Sequence, residues 1–332
     1  MLTRERVARC AHAAVVLWCL RHIRSVAATT LGLAEGSSSK RYNRVGWQRN
    51  KTGAWCARNQ RGGARSNRKG HIMLKGKTAI VTGSTSGIGL GIARKFAGQG
   101  CNLMLNGFGD AAQIEATRAG LATEFGIGVG YSAADMSKPD DVKKMVADTE
   151  SQFGACDILV NNAGIQHTAS VEDFPDEKWH AIIAINLSAA FFGIKAALPG
   201  MQKRGYGRII NVASVHGLVA SVHKSAYVAA KHAIVGLTKV VALENAERDL
   251  TCNAICPGWV LTPLVQKQIE DKAAAGGITV AEATKNLLEE KQPSLRFATP
   301  EDMGDLACFL ASAAGRSITG IAIPVDGGWT SR

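Results

Sequence analysis

From residue 78 onward the chain alternates short apolar runs with longer stretches whose apolar residues recur every three or four positions. The short runs predict strands near 78–82, 102–106, 129–132, 157–161, 207–212, 251–255 and 320–325. The longer stretches predict helices near 88–99, 111–125, 139–153, 176–203, 225–247 and 300–312. This alternation predicts a Rossmann-type, doubly wound parallel α/β sheet in a single domain. Right-handed crossovers then gather the carboxyl ends of the strands along one edge, where ligands bind. The alternation breaks between Leu261 and Ala298. There the pattern predicts a helical run around 265–275, a break at Gly276-Gly277 and a second, charged helix over 281–291. So long an excursion beside the ligand edge predicts a helical lid that excludes water from the site.

The first 72 of the 332 residues do not share the pattern. They carry fifteen of the 39 Lys and Arg but two of the 27 Asp and Glu, so this arm nets +13 and the remainder −1. The basic balance of the chain therefore belongs to the arm, and a nucleic-acid role for residues 73–332, which would need a basic face, is not expected. Rich in Arg, Gly, Ser and Asn, the arm is expected to be disordered. Its apolar run Ala13 to Leu20 is too short to span a bilayer, so no stable membrane association is expected. Arg-rich and acid-poor, the arm reads either as a mitochondrial leader, which would place the protein in the matrix, or as a mispredicted start ahead of Met73. A genuine tail is the third reading, and the location expected without a leader is the cytoplasm. Eight cysteines, at 10, 19, 56, 101, 156, 252, 256 and 308, form no Cys-x-x-Cys pair. They read as incidental thiols in a reducing compartment, not as a metal or disulfide framework.

Three motifs carry chemistry. In SAYVAAKHA, Tyr227 and Lys231 lie about one helical turn apart, so a phenol and an ammonium share a helix face. A nearby positive charge favours the phenolate and makes tyrosine a better proton acceptor. Ser214, thirteen residues upstream, is placed to hold a substrate oxygen. In TGSTSGIGLG, Gly83, Gly87 and Gly89 follow an apolar run and open a helix. A strand–glycine–helix order suits a pyrophosphate, which needs close backbone approach and the positive end of a helix. Asn162, Ala163 and Gly164, with Asn161 before them, follow the apolar run Ile158 to Val160, as polar amides at a strand end beside a ligand crevice would.

In this order, with Asn186 between them, these motifs resemble the short-chain dehydrogenase/reductase family, over Met73 to Arg332. The resemblance implies a catalytic tetrad. Ser214 would orient the carbonyl or hydroxyl oxygen and Tyr227 exchange the proton. Lys231 would lower the tyrosine pKa and bind the nicotinamide ribose, and Asn186 would hold a relay water. It implies a nicotinamide cofactor held by Gly83, Thr85, Ser86, Gly87, Ile88, Gly89, Phe108, Asp135, Met136, Asn162, Ala163, Gly164, Tyr227, Lys231, Pro257, Gly258, Val260 and Thr262. NAD is expected over NADP, because neither the stretch after the second strand, Asn106 to Asp110, nor the glycine turn offers a basic residue to a 2′-phosphate. The segments NAGIQH, SVHGLVAS, HKSAYVAAKH, GWVLTPLV and DGGWT resemble the branch acting on (R)-3-hydroxybutyrate. That likeness assigns the carboxylate of a small hydroxy acid to Gln166, His216, Lys224 and Gln268, with Trp259 and Trp329 as the apolar wall. It also implies a homotetramer. A 3-oxoacyl thioester reductase or a sugar-alcohol dehydrogenase would share the tetrad, and a binding protein working through the basic arm is the reading from another class.

Overall fold

The computed structural model describes residues 73–331, together with two three-residue strands, Trp47–Arg49 and Trp55–Ala57, that pair antiparallel with each other. Apart from that pair, the expectations for residues 1–72, a disordered arm, a targeting segment or a late start, lie outside the described residues.

From Thr78 the expected alternation is realised. Seven parallel strands, β1 (Thr78–Val81), β2 (Asn102–Asn106), β3 (Val129–Ser132), β4 (Ile158–Asn161), β5 (Tyr206–Val212), β6 (Asp249–Pro257) and β7 (Ala322–Val325), lie in the order β3-β2-β1-β4-β5-β6-β7. The central strands are continuous apolar runs because both sheet faces are covered. Side chains of β1 and β4 alternate between two cores. Ala79, Val81, Ile158 and Val160 join Ile92, Phe96 and Met303 on one face, while Ile80 and Leu159 join Met145, Ile194 and Ala197 on the other. Register keeps these layers together, with Ile80 opposite Met104 on one side and Leu159 on the other.

The chain winds outward through β1, β2 and β3, then returns to place β4 on the other side of β1. The carboxyl ends of β1 and β4 therefore feed loops that diverge, opening a crevice at the point where strand order reverses. Helices α1 (Gly87–Gly98), α2 (Ala111–Phe125) and α3 (Pro139–Phe153) make the first crossovers. The helix expected over 176–203 is in fact three pieces, α4 (Asp176–Ile183), a π-helical turn over Ala184–Ser188 and α5 (Ala189–Arg204). Helix α6 (Ser225–Glu244) carries the Tyr–Lys pair, and α9 (Pro300–Ala311) packs against α1. The stretch Asp176–Arg204 and helix α6 are each long and apolar enough to cross a membrane. Their apolar residues Ile194, Ala197, Met201 and Ile234 are instead buried in the domain core.

The excursion is helical as expected, with α7 (Pro263–Gly276), a left-handed Gly277 and α8 (Val280–Lys291), which begins in a capping box between Thr279 and Glu282. Cys101, Cys156, Cys252, Cys256 and Cys308 are buried free thiols.

The contact between α1 and α9 is close because both helices present glycine. A Cβ on Gly91 would lie 2.5 Å from Pro300 Cβ and 2.6 Å from its carbonyl oxygen. Gly91→Ala should therefore overpack the joint, costing about 1–3 kcal/mol. Denaturant titration should show a lower midpoint with an unchanged slope, and a midpoint equal to wild type would mean that α9 shifts freely.

Candidate active site

The crevice is built around a joint between β1 and β4. Thr82 Oγ1 accepts from the backbone N–H of Asn162 (2.9 Å) and of Ala163 (3.0 Å). Asn162 Nδ2 donates back to the carbonyls of Thr82 (2.8 Å) and Gly83 (3.1 Å). Gly83 adopts φ +62°, and a Cβ on Gly89 would run into the Gly83 carbonyl and stand 2.5 Å from Asn162 Nδ2, so neither position tolerates a side chain. Ser86, the N-cap of α1, makes no side-chain cap hydrogen bond, and the first turn contains no acidic residue. The positive helix end is thus left for an anion, which fits a dinucleotide pyrophosphate.

Beside this cradle, Ser214, Tyr227 and Lys231 line one pocket of about 790 Å³. Ser214 follows β5, in an extended conformation that caps a short 3₁₀ turn, its hydroxyl accepting from His216 N–H at 3.2 Å. Tyr227 lies beside Ser214, whose hydroxyl favours the phenolate, and Lys231 Nζ lies 5.6 Å from the centre of the Tyr227 ring. The Lys231 ammonium is 4% exposed and donates to the Val212 carbonyl at 2.8 Å. Burial lowers its pKa to about 8. Burial also raises the Tyr227 pKa, with the Ser214 hydrogen bond opposing. The expectation that Lys231 brings the tyrosine down is thus not what dominates in the protein alone, where desolvation of the phenolate outweighs other effects.

Asn186 sits in the π turn, a distortion that periodicity did not reveal. Its side chain bonds twice to Ile165, accepting from that residue's N–H (2.8 Å) and donating to its carbonyl (2.9 Å). A small cavity of about 10 Å³, the lower limit for one water, lies between Asn186, Lys231, Thr82, Asn161, Ala163 and Met136.

All eight residues assigned to the substrate line the larger pocket: Gln166, Ser214, His216, Lys224, Tyr227, Trp259, Gln268 and Trp329. Trp259 and Trp329 lean on each other with ring centres 6.0 Å apart, and the His216 ring meets Trp329 edge-on at 5.5 Å. Lys224 Nζ stands 6.0 Å from the Trp259 ring centre. Burial, then the charges of Lys272 and Lys291, lowers the Lys224 pKa. Burial, reinforced by the Lys224 charge, pushes His216 down to about 4, so its imidazole is neutral near pH 7. His216 Nδ1 and Trp259 Nε1 are buried without a protein partner. Sequence reasoning missed the pocket's apolar lining at Val212, Val215, Leu264 and Val265, which reads as ordinary core or helix surface along the chain.

Among the cofactor positions, Ser86, Gly87, Ile88, Asn162, Gly164, Pro257, Gly258, Val260 and Thr262 also line the pocket, and Ala163 and Met136 line the small cavity. Phe108 is exposed beyond β2, where its carbonyl accepts from Thr85 Oγ1 at 3.2 Å. Asp110 caps α2 through the Gln113 N–H, so its carboxylate does not reach back to the crevice. The Asp135 carboxylate is likewise committed to its own turn, accepting from Ser137 N–H (2.9 Å) and Oγ (2.7 Å).

The family model described as enoyl-(acyl carrier protein) reductase matches residues 83–330. A D-beta-hydroxybutyrate dehydrogenase of Cupriavidus necator is 60% identical over 262 residues, 78% of this chain and all of the relative. A protein of the same name from Rhizobium meliloti is 52% identical over 256 residues, 77% of this chain and 99% of that one. Among solved structures, an L-sorbose reductase from Gluconobacter frateurii complexed with NADPH and L-sorbose superposes with a TM-score of 0.76 at 32% identity, covering 79% of this chain and 99% of that one. The chain belongs to the short-chain dehydrogenase/reductase family and is an oxidoreductase acting on CH–OH groups.

The buried ammonium gives a stability test. Because the Lys231 pKa is below its unfolded value of 10.5, the unfolded chain binds the extra proton between pH 8 and 10.5. Stability contributed by this site therefore rises with pH across that window, and the cost of burying the charge is fully present below it. Lys231→Met should stabilise the fold by roughly 1–3 kcal/mol at pH 7. Urea titrations at pH 7 and pH 10 should show that gain shrinking at the higher pH, whereas a gain independent of pH would assign it to packing alone.

Proposed function

We propose that the protein catalyses the reversible oxidation of (R)-3-hydroxybutyrate by NAD⁺, giving acetoacetate, NADH and a proton. One observation carries this reading: Lys224 and a pair of packed tryptophans face the same pocket as Ser214, Tyr227 and Lys231. A short anion fits such a place, its carboxylate met by a cation and its carbinol by the proton-transfer pair. The names of the Cupriavidus and Rhizobium relatives support the same substrate. NAD is favoured because Phe108 and Ser86 offer no positive charge to a 2′-phosphate, although the Gluconobacter relative was solved with NADPH. Exposed Phe191, Val240 and Leu243 on α5 and α6 are consistent with self-association, read as a homotetramer in the cytoplasm.

In this reading the glycine turn and the open end of α1 hold the pyrophosphate, and Lys231 binds the nicotinamide ribose. When bound, the oxidised nicotinamide supplies the hydride acceptor and a positive charge. Ser214 orients the substrate hydroxyl, and the Tyr227 phenolate takes its proton as the C–H bond gives up its electron pair. Lys231 favours that phenolate, and the lid helices exclude water. Asn186 would hold a relay water beside Lys231, at the small cavity that both residues line.

The direct test is a set of steady-state rates with NAD and NADP against 3-hydroxy acids, their thioesters and sugar alcohols. Preference for a thioester or a sugar alcohol with NADP as the hydride acceptor would replace the proposed substrate. Tyr227→Phe keeps the ring and loses the hydroxyl, so kcat should fall about 10²–10⁴-fold while NADH still binds. A variant retaining more than about a tenth of wild-type kcat would remove Tyr227 from the proton transfer. Lys224→Ala should lower kcat/KM for 3-hydroxybutyrate by roughly 10–150-fold, and for an ester of it far less. Equal losses on acid and ester would show that Lys224 does not recognise the carboxylate.

A further inference from the structure

Behind the tryptophan wall lies a buried amide that neither the motifs nor the tetrad use. Gln292, the C-cap of α8, is 1% exposed. Its backbone N–H donates to Leu288 at 2.7 Å, and its carbonyl accepts from Leu295 N–H at 2.9 Å. Its side-chain Oε1 accepts from the backbone N–H of Trp259 at 2.9 Å, and its Nε2 donates to the Arg296 carbonyl. These partners fix the orientation of the amide, since an N–H requires the oxygen and a carbonyl requires the nitrogen. The other main-chain group of Trp259, its carbonyl, accepts from Ala298 N–H at 3.0 Å. Both backbone polar groups of Trp259 are thus bonded to the segment that returns from the lid.

The neighbouring backbone is arranged around this amide. A Cβ on Gly258 would lie 2.8 Å from Gln292 Oε1, and one on Gly327 would lie 2.8 Å from Gln292 Cγ. Leu295 is held at φ +51°, a left-handed conformation unusual for an apolar side chain, within the turn that Gln292 closes. Two residues from Gln292, Ser294 N–H donates to the Gly327 carbonyl at 2.9 Å, which ties the same turn to the loop bearing Trp329. Asp326 fixes that loop from the other side, accepting from Gly328 N–H (2.9 Å), Thr330 N–H (2.8 Å) and Thr330 Oγ1 (2.7 Å). One short segment, Gln292 to Ala298, therefore holds the backbones behind both tryptophans.

We infer that Gln292 is a positioning residue for substrate specificity: it sets the Trp259–Trp329 wall that faces the bound acid. The inference rests on the proposed hydroxy-acid reading. A buried N–H that loses its acceptor must move to find another, and movement of the Trp259 backbone displaces the indole beside Lys224. The pyrophosphate side of the cofactor crevice, at Thr82, Gly83 and Asn162, is held by its own hydrogen bonds, none of them to Gln292.

The test compares Gln292→Met, which keeps the length of the side chain and removes both bonds, with Asn253→Leu. Asn253 is an equally buried amide in β6 that donates to Ile318 at 2.7 Å and lies outside the pocket lining. Both variants should lower Tm. Only Gln292→Met should raise KM for 3-hydroxybutyrate, by about tenfold or more, with the NADH dissociation constant within about twofold of wild type. Gln292→Asn, which keeps an amide one methylene short, should give the same direction and serves if the methionine variant does not fold. A KM near wild type for the folded variant, or an equal rise in Asn253→Leu, overturns the inference. Exchange of the Trp259 amide hydrogen provides an arm without substrate. It should quicken in the Gln292 variants, and unchanged exchange also overturns the inference. A wild-type protein inactive on 3-hydroxybutyrate overturns the substrate reading separately, and the exchange arm then decides the role of Gln292.

Discussion

The Lys231 ammonium is buried at the end of the sheet with the Val212 carbonyl as its protein partner, and the rest of the site is arranged around that cost. A charge so placed stays only if the fold holds it there, and the fold does so by continuing β5 to Val212 and laying α6 across its end. The same helix delivers Tyr227 one turn earlier, with Ser214 waiting beyond the strand. Burial works on both partners, lowering the lysine pKa and raising that of the tyrosine, so burial disfavours the charged form of each. Residues with such opposed shifts in one pocket are where acid–base chemistry is expected.

The crevice and the lid meet the two halves of the ligand problem with different materials. On the coenzyme side, backbone does the recognition: an uncapped helix end and glycines that permit close approach. On the proposed substrate side, the pocket presents side chains instead: two indoles, a half-buried lysine and a neutral histidine. Such a division lets a fold shared with a sugar reductase carry a different substrate pocket, because the fold does not dictate the side chains that line it.

Much of this was legible because it is local. The seven strands and the helices between them follow from periodicity, and the pair of helices in the excursion follows from its helical pattern and the Gly276-Gly277 break. The Tyr–Lys spacing fixes a shared helix face whatever surrounds it. Legibility ended where a residue's partner lies far along the chain. Asn186 was found as a position, but its π turn and its two hydrogen bonds to Ile165 leave no trace in periodicity. The Asp110 carboxylate is spent as a helix cap, and nothing in the local pattern marks the bond between Gln292 and Trp259.

The sequence by itself determined the fold class, the sheet edge where the crevice opens and the Tyr–Lys pair on one helix face. These depend on spacings of a few residues and on the handedness of strand–helix–strand connections, which are properties of the backbone. Tertiary structure decided the charges and the walls. Only packing tells that His216 is neutral, that desolvation of Tyr227 outweighs its stabilising contacts, and that Gln292 fastens Trp259 from behind. Dielectric environment and hydrogen-bond partners are set by atoms brought together from distant parts of the chain, and no local pattern encodes them.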